Sequence, residues 1–122
     1  MIKLTVQTRI EKPIYEQLYS QIVSEILSGQ LTANECLPSI RLVAKELQIS
    51  VIPVKTAYEM LEQDGYIYTQ QGKGCFVKDL GDELRLKRHR IVTEKIVELK
   101  NTADKLGLSG DEVTTLIEKY LG

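Results

Sequence analysis

Four cations, Arg41, Lys45, Lys55 and Lys73, stand where short helical patterns begin or turn outward, or at the tip of a glycine-flanked loop. The chemistry open to such residues is the neutralisation of phosphate, and a few cations on one face suffice for it while acidic residues sit elsewhere. Ser39 and Ser50, each just ahead of an apolar-periodic stretch, add hydroxyls of the kind that cap helices. Catalysis has no comparable frame. No nucleophile is placed with a base, no carboxylates are paired, and Gly72-Lys73-Gly74 lacks the longer phosphate-binding pattern, so the sequence is not read as that of an enzyme. His89 has no acidic or cysteine companion at ligand spacing, and neither a metal nor a cofactor is expected. Cys36 and Cys75 fit neither a zinc spacing nor a secreted disulfide framework and are read as reduced thiols.

The stretch that must position these residues is Leu37 to Leu61, LPSIRLVAKELQISVIPVKTAYEML. It holds two short helical patterns separated by a polar break at Gln48 to Ser50, the form of a helix-turn-helix. In the first, Ser39 is the N-cap, and Ile40, Val43, Ala44 and Leu47 recur on one face. In the second, Ser50 is the cap, Pro53 lies in the first turn where a missing N–H costs little, and Val54, Ala57, Tyr58 and Leu61 form the face to be buried. The opposite face offers Val51, Ile52, Lys55, Thr56 and Glu59, side chains that a recognition helix would present to the major groove.

Around this stretch, residues 1 to 12 form an arm in which Ile2, Leu4 and Val6 alternate as in a short strand. Pro13 opens a helix whose stripe is Ile14, Leu18, Ile22 and Ile26, and Gly29 stands where a C-terminal glycine stop belongs. Asn34 is the residue best able to turn left-handed on the way back to Pro38. After Asp64-Gly65, Tyr66 to Thr69 and Cys75 to Val77 favour strands, with Gln70-Gln71-Gly72-Lys73-Gly74 as a hairpin loop between them. Gly72 and Gly74 free that loop for close approach, and Lys73 charges its tip. A helix-turn-helix followed by such a hairpin is a winged helix, its wing laid along the DNA backbone or in the minor groove.

From Pro13 to Val77 the chain resembles the GntR-type bacterial transcription regulators, more narrowly their short YtrA-like branch. The resemblance lies in PIYEQLYSQI, ILSGQL, LPSIRLVAKEL, VKTAYEMLEQDGYIY and QGKGCFV, in that order. It implies an N-terminal DNA-binding winged helix and a variable C-terminal part that dimerises and, in most branches, binds an effector. It implies that Ser39 and Arg41 anchor phosphate or a groove edge, that the helix beginning at Ser50 enters the major groove, and that Gly72, Lys73 and Gly74 form the contacting wing. The chain departs from the family pattern where Ala33-Asn34-Glu35 replaces a Pro-Gly-acidic turn and where Gln48 replaces a glycine. Val51 stands where many members have arginine, which moves base reading towards apolar contact of Val51 or Ile52 with thymine methyls. In winged helices the segment between the first two helices commonly pairs with the last wing strand, which would set Cys36 near Cys75; two small buried side chains are favoured there over a redox switch.

With 122 residues, 43% of them apolar and 6% aromatic, the chain can bury one modest core and a small appendage. The expected fold is mainly α with a small β wing: a winged helix-turn-helix DNA-binding domain over residues 1–78, then a two-helix dimerisation segment over residues 79–122. Leu80 to Leu106 reads as a long helix in which Leu84, Val92, Ile96, Leu99, Ala103 and Leu106 line a seam for a partner helix, largely at heptad spacing, and Gly107 ends it. Ser109 and Glu112 make a capping box for a last helix with Val113, Leu116, Ile117, Tyr120 and Leu121 on one face. Two amphipathic helices cannot close a small-molecule pocket, so homodimerisation is their expected work, and the existence of an effector stays open. The run Arg85 to Arg90 is read as a solvated face.

The net charge is −1, with eight Lys or Arg against eight Asp or Glu in residues 1 to 78, so DNA binding must rest on placement rather than on total charge. No apolar run is long enough to span a bilayer, and MIKLTVQTR lacks the core of a signal peptide, which makes a cytoplasmic protein the expectation. The function expected is a homodimeric, sequence-specific regulator of transcription, a repressor acting on an inverted-repeat operator in double-stranded DNA. By resemblance its targets would include transporter operons. The competing reading, supported by the near-neutral charge, is a winged-helix module that docks on protein or RNA.

Overall fold

In the computed structural model, which describes residues 3–122, Pro13 takes φ −57° and its carbonyl accepts from the Gln17 N–H at 3.1 Å, starting helix α1 (Ile14–Leu27). Gly29, at φ 87°, turns the chain out of it. Helix α2 (Ile40–Leu47) begins at Ser39, whose hydroxyl accepts from the Leu42 N–H at 3.1 Å, satisfying one of the amides that a helix start leaves open. Gln48 ends it in the left-handed region, φ 56° and ψ 45°, the conformation that the family's glycine would supply without strain. Helix α3 (Val51–Gln63) follows at once. Ser50 occupies its cap position with an extended backbone but makes no side-chain cap bond, so its expected capping role is positional only.

α1 and α2 both pack on α3. Leu18, Ile22, Val54, Ala57 and Leu61 are completely buried between these helices, and burying a Leu, Ile or Val side chain contributes about 1.5–3 kcal/mol relative to leaving it exposed. Tyr58 is buried with them, and its phenol donates to the Pro38 carbonyl at 2.6 Å, tying α3 to the segment that leads into α2.

Gly65 at φ 79° then reverses the chain into the antiparallel hairpin β1 (Ile67–Gln70) and β2 (Gly74–Val77), paired Ile67 to Val77, Tyr68 to Phe76, Thr69 to Cys75 and Gln70 to Gly74. Tyr66, expected in the first strand, lies just before it and is buried. The segment between α1 and α2 adds one further bridge, Cys36 to Phe76, flanked by Leu37 N–H to Cys75 carbonyl at 2.8 Å and Val77 N–H to Glu35 carbonyl at 2.9 Å. Asn34, left-handed at φ 68°, accepts from the Tyr68 hydroxyl on its Oδ1.

The arm forms no strand among its described residues, and Ile2 lies outside them. Its backbone is held instead by two glutamines one turn apart on α1. Gln17, which is buried, accepts from the Gln7 N–H at 2.8 Å and donates to the Gln7 and Lys12 carbonyls at 2.9 and 2.8 Å. Gln21 accepts from the Thr5 N–H and donates to the Thr5 carbonyl. The side-chain amides thus serve residues 5 and 7 as a neighbouring strand would, which is why Leu4 and Val6 alternate without a sheet.

The chain divides into two compact units, Met1–Gly81 and Asp82–Gly122. Leu80 is buried and belongs to the first; the long helix starts at Glu83 rather than Leu80. The reason is local: Gly81 takes φ 50° and its N–H donates to Asp79 Oδ1 at 3.1 Å, a turn that cannot be the start of a helix. Helix α4 (Glu83–Leu106) runs 24 residues to Gly107, which is left-handed at φ 78°. Helix α5 (Gly110–Leu121) carries the capping box in full, Ser109 Oγ accepting from the Glu112 N–H and Glu112 Oε1 accepting from the Ser109 N–H. Among the described residues no helix is long and apolar enough to cross a membrane.

Candidate nucleic-acid interface

The first turn of α3 is positioned by the Gln48-Ile49-Ser50 turn, in which the Ile49 N–H returns to the Ala44 carbonyl at 3.0 Å. That turn leaves Val51 46% and Ile52 70% exposed at the start of a helix whose other face is buried. Two branched apolar side chains held in water are a cost that a partner surface would remove. Ser50 is exposed. Lys55 is also exposed and faces Glu59 one turn on, 3.9 Å away; at such exposure the pair is weak and leaves the ammonium free to meet another anion. Thr56 is half-buried, less open than its place on the helix face suggests.

The wing presents Gly72, Lys73 and Gly74 together in the solvent. The Lys73 N–H donates to the Gln70 carbonyl at 2.9 Å, and the turn needs Gly72 at φ 79° and Gly74 at φ 118°. Added side-chain bulk at Gly74 would meet only Cys36 Sγ at 3.8 Å, so backbone conformation and not space demands glycine there. Arg41, in the first turn of α2, is exposed. Ser39, Arg41, Lys73 and Gly74 border one cleft, at the start of α2 and the wing tip; Ser50, Val51, Ile52, Lys55 and Thr56 are not among its lining.

Tyr58 escaped functional notice in the sequence, where it reads as core. Its signal is chemical: a buried phenol needs a partner, and the carbonyl of Pro38, two residues before α2, is the one it finds. Burial, and then the electrostatic influence of the Cys75 and Cys36 thiols, hold its pKa far above the ordinary range, so it stays a donor. The two cysteines are free. Residues paired across a sheet share a face and their neighbours alternate, so Cys36 goes with Phe76 while Cys75 goes with Thr69, 3.5 Å from its hydroxyl, on the other side. The register keeps the thiols adjacent along the backbone but does not aim them at each other.

In the second unit Val92, Ile96, Leu99, Leu106, Leu116 and Tyr120 are all exposed, Leu84 is half-buried and Ala103 is buried. Ala103, expected on the seam, is therefore already covered within one chain. Leu86, Val97, Ile117 and Leu121 join the exposed apolar set. Among the described residues no group of His, Cys, Asp or Glu is placed to hold a metal ion.

The model of the gntR family of bacterial regulatory proteins matches residues 14–77. Over 117 residues the chain is 29% identical to the uncharacterized HTH-type transcriptional regulator YhcF of Bacillus subtilis (strain 168), spanning 93% of this chain and 94% of YhcF. It is 32% identical over 76 residues to the HTH-type transcriptional repressor YtrA of the same organism, covering 62% of this chain and 58% of YtrA. A GntR family transcriptional regulator from Listeria monocytogenes superposes with a TM-score of 0.80 at 27% identity, over 89% of this chain and 96% of that one. The fold also recurs, at 24% identity and a TM-score of 0.55, in the DNA-binding domain of AraR in complex with operator ORX1, over 62% of this chain and 95% of that one. The chain belongs to the GntR family of bacterial regulatory proteins, in its YtrA-like branch.

Proposed function

We propose that this GntR regulator is a repressor that binds an inverted-repeat operator in double-stranded DNA as a homodimer. Residues 1–78 form the DNA-binding head and residues 79–122 the dimerisation segment. Ser39, Arg41 and the Gly72-Lys73-Gly74 wing hold phosphate or a groove edge; the helix beginning at Ser50 enters the major groove and reads it with Val51, Ile52, Lys55 and Thr56. The observation that carries the reading is the first turn of α3, where Val51 and Ile52 stay exposed while Val54, Ala57, Tyr58 and Leu61 on the other face of the helix are buried. Apolar side chains there suit thymine methyls better than guanine edges. Repression is the activity that YtrA's name states, and it supports the same sign here.

The dimer rests on the second unit, where Leu84, Val92, Ile96, Leu99, Leu106, Leu116 and Tyr120 offer the partner an apolar face. One head makes few base contacts, and linking two raises their effective concentration on a two-fold operator with half-sites about one helical turn, or a multiple of it, apart. The test is salt dependence of binding to duplex DNA from upstream of the gene. Two phosphate-binding cations per head and two heads predict a log-log slope of roughly −3.6, a loss of about 150-fold in affinity between about 50 and 200 mM salt. A flat salt dependence, or equal affinity for single-stranded RNA, would replace this reading with a protein- or RNA-docking module.

A further inference from the structure

The DNA-binding unit carries a cavity of its own. A cleft of about 330 Å³ opens between the segment before α2 and the wing, lined by Leu37, Ile40 and Tyr58 together with Arg41 and Lys73. Its volume falls in the range of roughly 300–1,000 Å³ that small-molecule sites occupy. Leu37 and Tyr58 are only 4% and 3% exposed, so they form a floor and not a rim. Arg41 and Lys73 are exposed, and among the described residues neither has a carboxylate within ion-pair distance. A DNA phosphate would engage the cations yet leave the apolar depth empty. A ligand that uses the whole cleft must have one anionic end and an apolar body.

We propose that this cleft binds a small amphipathic organic carboxylate, its head on Arg41 and Lys73 and its body on Leu37, Ile40 and Tyr58, and that occupancy competes with DNA phosphate for the two cations. The regulatory half of this inference rests on the proposed role of Arg41 and Lys73 at DNA; the binding half does not. A regulator so built needs no separate effector domain, because the ligand takes the two cations away from phosphate directly.

Octanoate and benzoate are the probes, with octanol and benzyl alcohol as their uncharged counterparts. Cys75 is half-buried and lines the cleft, so its alkylation by iodoacetamide, read against that of the exposed Cys36, reports occupancy with no DNA present. The carboxylates should slow alkylation several-fold with a Kd of about 1 mM and shift the backbone amides of Ile40 and Gly74 in the same titration. The alcohols should do less, and the Arg41→Gln, Lys73→Gln double variant should lose the difference between acid and alcohol. At ten times its Kd, a carboxylate should lower apparent DNA affinity about tenfold. Unchanged alkylation and amide shifts at tens of millimolar, or equal protection in the double variant, overturn the site. Protection that leaves the affinity for a bound duplex unaltered overturns the competition. Carboxylate binding by a chain that binds no DNA upholds the site and counts against the proposed function instead.

Discussion

Leu18, Ile22, Val54, Ala57 and Leu61 in the first unit are 0% exposed, while on α4 and α5 Val92, Ile96, Leu106 and Tyr120 are 58, 56, 71 and 79% exposed. The apolar spacing is equally regular in both regions. In the first, three helices and a hairpin supply the cover for one another; in the second, α4 and α5 leave most of their apolar residues in water. Helical periodicity therefore says that a face is to be buried and is silent on whether the covering surface comes from the same chain. These exposed apolar residues are the ones that the proposed dimer would cover.

The sharpest way to break this contrast is Ile96→Asp, which sets a charge in the open face without touching the closed core. The variant is expected to be monomeric by light scattering, with the thermal transition of the first unit retained. Its operator affinity should fall about 10²–10⁴-fold as the two heads lose their linkage. A variant that stays dimeric would remove the assignment of α4 to the interface. The converse experiment is Leu61→Ala, which opens a cavity under α3 and should cost about 2–5 kcal/mol in the first unit. Denaturant unfolding followed at the wing tyrosines would show that loss while light scattering still reports a dimer. Joint collapse of both readouts would mean that the two regions are not energetically separate.

Within the head, the comparison narrows to side chains that specify and side chains that hold. Ile52→Ala is expected to cost roughly 1–3 kcal/mol on the preferred duplex and little on unrelated sequences. Lys73→Ala should weaken all sequences alike and lower the salt slope by about one unit for each phosphate that is no longer neutralised. Fluorescence anisotropy on two duplexes at several salt concentrations separates these patterns, and identical behaviour of the two variants would erase the distinction.

Much of the head could be read from sequence because its signals are local. Ser39 caps α2, the i, i+3, i+4 set of α3 is buried and that of α2 is buried at Val43 and Ala44 with Ile40 and Leu47 half-buried, and Gly72 and Gly74 take the positive φ that a hairpin tip requires. What could not be read depended on partners distant in sequence. Leu4 and Val6 alternate like a strand, but their backbone neighbours are the amides of Gln17 and Gln21, and a side chain that imitates a strand leaves no periodic trace. Leu80 continues an apolar helical pattern on paper, yet the Asp79–Gly81 turn breaks it and Leu80 is buried with the first unit. Thr56 sits on the face opposite the core by helical count and is still half-buried, because a face has edges that counting does not resolve.

The smallest effect concerns the turn that aims α3. Gln48 holds φ 56° and ψ 45°, and its N–H donates to the Lys45 carbonyl at 3.2 Å, with the Ile49 N–H closing on Ala44. A side chain in that region crowds its own carbonyl, a strain of about 1–2 kcal/mol that glycine avoids, against which glycine loses more chain entropy on folding. Gln48→Gly is therefore expected to stabilise the first unit by about 0.5–1 kcal/mol, raising its melting midpoint by a few degrees. Because Gln48 is exposed and lies outside the second unit, dimer mass should not change. Operator affinity should hold or rise slightly, since the substitution relieves the turn without moving the helix it positions. A lower midpoint would mean that the glutamine side chain makes up for its strained backbone in a way that the hydrogen bonds of the turn do not explain.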